Sequence, residues 1–246
     1  MKLASSFPLV LAAAVSLSLT ACGGDNPDSS ARPSSTPSVV ATPTDSTPTE
    51  TPTETGPVKR TKAELTKALL DLKDLPSGFT TDNDEHTLVF SAPTSKCKTL
   101  VKYLNADEAP DSKVNANSAF AGGQEGPYLD FGLDSMNTSK AVGKLLTSYR
   151  EAVASCKKVN LRFNGQGSTS MEVVELQAPE FGDTPFAFKL TGVSGPKKGL
   201  EFATAVSGLG DVALTVAILA GQPGELDSAT EAAVEKARIV LEKPGG

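Results

Sequence analysis

Apolar positions along the chain fall into two regimes separated by a polar stretch. An apolar run from about Phe7 to Leu19 comes first, and large apolar groups then all but vanish until residue 61. Beyond that point the pattern becomes periodic. Leu65, Ala68, Leu69 and Leu72 follow helical spacing, with Thr61 and Glu64 placed as a capping box ahead of them. Asp74-Leu75-Pro76-Ser77-Gly78-Phe79 breaks this first helix. A short strand is expected around His86 to Phe90, then a helix with Cys97, Leu100, Val101 and Leu104 on its apolar face. Val114 to Ala121 and Tyr128 to Leu133 read as strands; in the second, Leu129, Phe131 and Leu133 alternate with polar or small residues. A long helix from about Thr138 to Ser155 follows, with Val142, Leu145, Leu146, Tyr149, Val153 and Cys156 on one face.

The remainder is mostly strand. Val159-Leu161-Phe163, Met171 to Leu176, Phe186-Phe188-Leu190, Leu200 to Val206 and Val212 to Leu219 are successive candidates. The last two are separated by Ser207-Gly208-Leu209-Gly210-Asp211, which reads as a five-residue hairpin link. A closing helix is expected to open on a second capping box, Ser228 and Glu231, and to carry Ala233, Val234, Ala237 and Leu241. Strands joined by tight links, with helices segregated from them, predict an α+β fold with a mostly antiparallel sheet. The βαβα rhythm of a nucleotide-binding sheet is missing.

The first apolar run has one positive charge before it, at Lys2, and small residues after it. That is the layout of a secretory signal, and it is too short to span a bilayer comfortably. Leu19-Thr20-Ala21-Cys22 at its end resembles the bacterial lipobox, whose Cys receives a diacylglyceryl group as the chain is cut before it. Residues 1–21 are therefore expected to be a lipoprotein signal peptide and Cys22 a lipidation site. Two acyl chains hold a protein on a membrane where one would not. Residues 22–60, rich in Thr, Pro and Ser, cannot bury enough surface to fold and are expected to act as a disordered tether, spanning roughly 35 Å as a coil. The folded domain is expected over 61–246. These expectations place the domain outside the cytoplasm, at the outer face of the cell membrane.

With Cys22 set aside, Cys97 and Cys156 remain, an even pair on two inward-facing helix faces of an exported chain. A disulfide between them is expected; two buried free thiols are the alternative. Such a bond would gather Lys96, Lys98, Lys102, Lys157 and Lys158 in one neighbourhood, a basic patch suited to an anionic envelope polymer, lipid surface or protein partner. The alternative is an ordinary solvated helix surface. The whole chain carries 23 Lys and Arg against 29 Asp and Glu, a balance that argues against nucleic-acid binding.

The chemistry of catalysis is thinly represented. There is one histidine, His86, beside Asp82-Asn83-Asp84-Glu85. That string fails the calcium-loop pattern: the sixth position has no Gly, and Pro93 stands where a Glu is needed. It reads as a solvated turn. Ser-x-x-Lys strings begin at Ser95, Ser155 and Ser194 without the companion elements of penicillin-binding enzymes. The Gly165-Gln166-Gly167 and Gly208-Leu209-Gly210 stretches lack the Lys and the helix of a phosphate loop. No cofactor or metal is expected. Phe186, Phe188, Val212 and Val216 would be the lining of an apolar cavity if the protein carried lipid; otherwise they are sheet core.

Lipobox, Thr/Pro tether, an opening helix ending in DLPSGF and a Cys-bearing helix come first. A second helix ending in Cys, a run of strands and a last helix complete the order. In this the chain resembles the actinobacterial lipoproteins whose domain is similar to the extracellular sensor domain of the mycobacterial kinase PknH. The resemblance implies a curved antiparallel sheet with helices packed on one face and a cleft for a ligand. Because no nucleophile, base and orienting group stand together in the sequence, a non-catalytic role binding a ligand or partner is expected; a lipid or apolar-ligand carrier, or an envelope enzyme with an unrecognised site, is the alternative. One cysteine pair stands here where that kinase domain has two. The closing strand–strand–helix also resembles PsbP-like envelope lipoproteins.

Overall fold

The computed structural model describes residues 57–82, 88–162 and 167–242. Cys22, the tether up to residue 56, Asn83 to His86 and Phe163 lie outside the described residues.

Thirteen elements organise the rest. The helices are α1 (Lys62–Ala68), α2 (Lys98–Leu104), α3 (Ser139–Ser155) and α4 (Glu225–Leu241). The strands are β1 (Thr80–Thr81), β2 (Val89–Ser91), β3 (Val114–Ala121), β4 (Tyr128–Ser135), β5 (Lys158–Arg162), β6 (Ser168–Leu176), β7 (Asp183–Ser194), β8 (Glu201–Leu209) and β9 (Val212–Leu219). Together the strands make one nine-stranded antiparallel sheet in the order β1-β3-β4-β9-β8-β7-β6-β5-β2. The fold is α+β.

The sheet is curved, and chain length alone requires it. Thr81 ends β1 at one edge and Val89 begins β2 at the other. Laid flat, nine strands would set those edges about 38 Å apart at ~4.8 Å per strand. The eight chain links between the two positions reach at most about 29 Å.

Helices cover both faces of the sheet rather than the single face that the family resemblance implied. Cross-strand partners share a face and chain neighbours alternate. Val216 pairs with Ala205, and Ala205 with Ala187, so these three point one way and Phe186 and Phe188 the other. Val212, Leu214, Val216 and Ile218 pack with Leu65 of α1 and with Ala233, Val234 and Ala237 of α4. Phe186, Phe188 and Leu190 pack against Leu100 of α2, Ala152 and Val153 of α3, and the two cysteines. Strand β9 is therefore buried on both sides, and nearly every residue of VALTVAIL is buried. Two-sided burial turns an alternating pattern into a continuous apolar run, which does not say where the helices go.

Local rules set most element ends. At α1 the capping box closes in both directions: Glu64 N donates to Thr61 Oγ1 (3.3 Å), and Thr61 N donates to Glu64 Oε2 (2.6 Å). Thr138 caps α3 by accepting from Ala141 N at 3.2 Å. Two expectations are corrected. The β8–β9 hairpin turns in two residues, Gly210 and Asp211, because pairing persists to Leu209 and Val212; Gly210 takes φ +59° there. Helix α4 starts at Glu225, ahead of the anticipated Ser228 cap. Gly224 at φ +82° turns the chain into it, and Glu225 and Asp227 place negative charge at the positive end of the helix dipole.

Candidate functional site

A cleft of about 710 Å³ opens beside β3, where the two-residue β1 leaves off. Its first wall is the segment leaving α1. Leu69 and Leu70 are buried in the core, and Leu70 O accepts a hydrogen bond from Ser118 Oγ (3.2 Å), which pins this segment to β3. The chain then makes a 3-10 turn, Leu72–Asp74, closed by its own box: Asp71 Oδ1 accepts from Lys73 N and Asp74 Oδ2 accepts from Asp71 N. Lys236 of α4 reaches over to both carboxylates, 3.1 Å from Asp71 Oδ2 and in closer contact with Asp74. The second wall is formed by Asn117 to Phe120 of β3, Asp130 of β4, and Thr81 and Asp82.

The cleft is mixed in character. Leu72, 44 % exposed, stands at its mouth beside Thr66 and Lys73. Asp71, Asp82 and Asp130 supply carboxylates, and Asn117 and Ser118 supply an amide and a hydroxyl. Hydrogen bonding from Lys73, and then from Lys236, holds the Asp71 carboxyl down at about 2 against its own desolvation. That carboxylate stays charged at any ordinary pH. The size is that of a small-molecule site. Of these residues the sequence singles out for its chemistry only Asp82, within the string that fails the calcium-loop pattern, and the DLPSGF stretch reads there as a helix break and as one mark of the family resemblance.

Cys97 and Cys156 are bonded, with Cα atoms 4.7 Å apart. Cys97 ends a 3-10 turn, Ser95–Cys97, that runs directly into α2, and Cys156 is the C-cap of α3. Both are buried. The bond lies among Leu100, Val153, Val159 and Phe188, so it is dry. Lys96, Lys98, Lys102, Lys157 and Lys158 are all exposed around it.

The four residues considered for a lipid cavity separate. Phe186 and Phe188 belong to the disulfide-side core, Val212 and Val216 to the α1–α4 core, and each is at most 1 % exposed. Arg150 lies over the Phe186 ring at 5.2 Å, capping that core at its edge. Nearby, Asp134 is buried and accepts from Ala109 N (3.0 Å), fastening the loop before β3; burial pushes its carboxyl above the ordinary range. The tilted ring pair Tyr103–Tyr149, with centroids 4.3 Å apart, joins α2 to α3, and burial raises the Tyr149 phenol. Among the described residues no three His, Cys, Asp or Glu gather as metal ligands. The Asp82–His86 string lies largely outside them.

With this geometry, the molecule can be set beside known proteins. The fold is similar to that of the extracellular domain of PknH from Mycobacterium tuberculosis. The superposition has a TM-score of 0.54 and covers 74 % of this chain and 98 % of that one, at 13 % sequence identity. No family model matches the chain. No curated protein matches it in sequence. The likeness therefore resides in the fold, and it takes in nearly all of the PknH domain. No helix among the described residues is long and apolar enough to cross a membrane.

Proposed function

We propose that this chain is an extracytoplasmic lipoprotein, held at the outer face of the cell membrane through Cys22, whose domain binds a ligand or partner without catalysing a reaction on it. The observation that carries the reading is the near-complete coverage of the PknH extracellular domain. A bonded cysteine pair in the core suits a domain that folds in an oxidising compartment. The cleft between the α1 exit and β3 is the candidate ligand site: it is large enough for a small molecule, and it offers hydrogen-bonding groups beside apolar ones.

Two experiments test the two halves of this reading. Metabolic labelling with an alkyne fatty acid is expected to mark the wild type and not Cys22→Ala; equal labelling overturns the lipid anchor. Native mass spectrometry of the full-length protein, purified from envelope material, is expected to reveal a bound small molecule. Asn117→Trp, on the exposed cleft wall, is expected to lose it. A bound mass unaffected by that change rules out the cleft, and turnover of a small-molecule panel by the wild type would overturn the non-catalytic assignment.

A further inference from the structure

The disulfide-stapled end of the domain concentrates positive charge on an acidic molecule. Lys96 and Lys98 flank Cys97, and Lys157 follows Cys156. With 4.7 Å between the bridged Cα atoms and 3.8 Å per chain link, these three Cα atoms lie within about 12 Å of one another. Lys102 stands one turn of α2 beyond Lys98, and Lys158 opens β5. All five side chains are exposed. Among the described residues none of them takes part in an ion pair, whereas Lys73, Lys189 and Lys236 each do. Two carboxylates stand nearby: Glu172 is the cross-strand partner of Lys158, and Glu151 lies in the last turns of α3. The local balance is positive by three charges in a chain of net charge −6. The covalent bond and the packed helices beneath it stop the lysines from separating to relieve their repulsion.

We propose that this end is an electrostatic docking surface for an anionic lipid bilayer, formed by Lys96, Lys98, Lys102, Lys157 and Lys158. The residue type favours a lipid surface over a shaped protein partner. Five lysines on flexible stems, with no Arg among them, act as hydrated point charges rather than as forks matched to fixed acceptors. Mobile headgroups can rearrange to meet such charges, and their attraction acts within a Debye length of the surface. The geometry permits the approach. Val58 N donates to Asn137 O, so the N-terminal segment joins the domain at the start of α3, while the patch lies at its other end. Those ends are about 26 Å apart at 1.5 Å per residue. At up to ~3.3 Å per residue, the chain between Cys22 and Val58 is long enough for the far end to reach a bilayer that holds Cys22.

The inference takes its setting from the membrane-held reading above, and its test is separable from that reading. Full-length protein carrying Cys22→Ala, which cannot be lipidated, is mixed with vesicles of phosphatidylcholine alone and of phosphatidylcholine with phosphatidylglycerol. Binding to the first is the baseline, so any partitioning of the apolar segment near Phe7 cancels. At low ionic strength the anionic vesicles are expected to bind at least about tenfold more tightly, since each lysine at the surface contributes about fivefold. High salt is expected to abolish the difference. Changing all five lysines to Gln is expected to remove it, while Lys62, Lys67, Lys113 and Lys140 changed to Gln, four exposed lysines elsewhere, keep it. No preference for anionic vesicles in the wild type, or a preference kept by the five-Gln variant, overturns the proposal. So does tighter binding to soluble polyphosphate than to vesicles of equal charge, which would reassign the patch to an anionic polymer.

Discussion

Arg60 and Asp211 meet as a two-point ion pair across 151 residues of chain: Nε donates to Oδ2 at 3.1 Å and Nη2 to Oδ1 at 2.8 Å. A third bond, from Nη1 to Leu241 O (3.0 Å), reaches the last turn of α4. One guanidinium thus fastens the start of the domain, the β8–β9 turn and the end of the final helix. Both side chains are largely buried. Arg60→Ala strands the Asp211 carboxylate and is expected to cost about 3 kcal/mol. Replacing both residues by apolar ones, Arg60→Met with Asp211→Leu, should cost distinctly less than the single change, because no charge is left unpaired. Urea titration of the two variants checks this, and equal losses would show that the pair contributes little through charge.

The cysteine pair closes a loop with a sequence separation of 59 residues. In the chain-entropy account such a bond stabilises by about 4 kcal/mol. Protein carrying Cys22→Ala should show no free thiol when unfolded without reductant and two after reduction. Its urea midpoint should fall on reduction. Two thiols before reduction would mean that the bond does not form in the protein.

Strand β2 lies at the sheet edge, and Asn105 closes it. The Asn105 amide accepts from Phe90 N and donates to Phe90 O, both at 2.8 Å, as a neighbouring strand would. Asn105→Asp keeps the acceptor and removes the donor, setting a carboxylate against a carbonyl. A loss of about 1–3 kcal/mol is expected. Faster hydrogen exchange at β2, with β8 and β9 unchanged, would locate the effect. A uniform loss of protection would argue that Asn105 has no particular role at the edge.

Acid should loosen the cleft wall first. The Asp71 carboxyl titrates at about 2 in the folded protein, against about 3.9 in an unfolded chain. Its contribution is therefore complete above pH 4 and lost as pH falls toward 2. Because Asp71 is half exposed, solvent screens much of this effect. Asp71→Asn should flatten the decline of stability between pH 4 and 2 and leave the pH 7 value only slightly reduced. Asp134 works in the opposite sense. Its raised carboxyl makes the folded state hold a proton longer, so its contribution falls as pH rises through the window above 3.9. Asp134→Asn should remove that component, and a pH series of melting temperatures distinguishes the two carboxylates.

What the sequence determined by itself was local. The capping box at Thr61 and Glu64, the Thr138 cap and the period of α3 are set by residues within one or two turns of each other, and each is present in the structure. The α+β class and the run of antiparallel strands follow from the same short-range patterns. Tertiary structure decided whatever depends on distant partners. Strands β8 and β9 carry apolar residues on both faces, so their sequence is silent about where helices pack; only the pairing of Val216 with Ala205, and of Ala205 with Ala187, separates the α1–α4 core from the disulfide core. The β8–β9 turn was placed too wide because Ser207, Gly208 and Leu209 look like loop residues but are held in the ladder by β9. The residues that line the cleft could not be read from the sequence for a related reason. Asp71, Asn117, Ser118 and Asp130 are ordinary polar residues drawn from three separate segments, and they line one cleft only because Ser118 bonds to Leu70 and β1 stops after two residues. A periodic pattern records which side of an element is wet or dry, whereas a site is made by which elements the fold brings together.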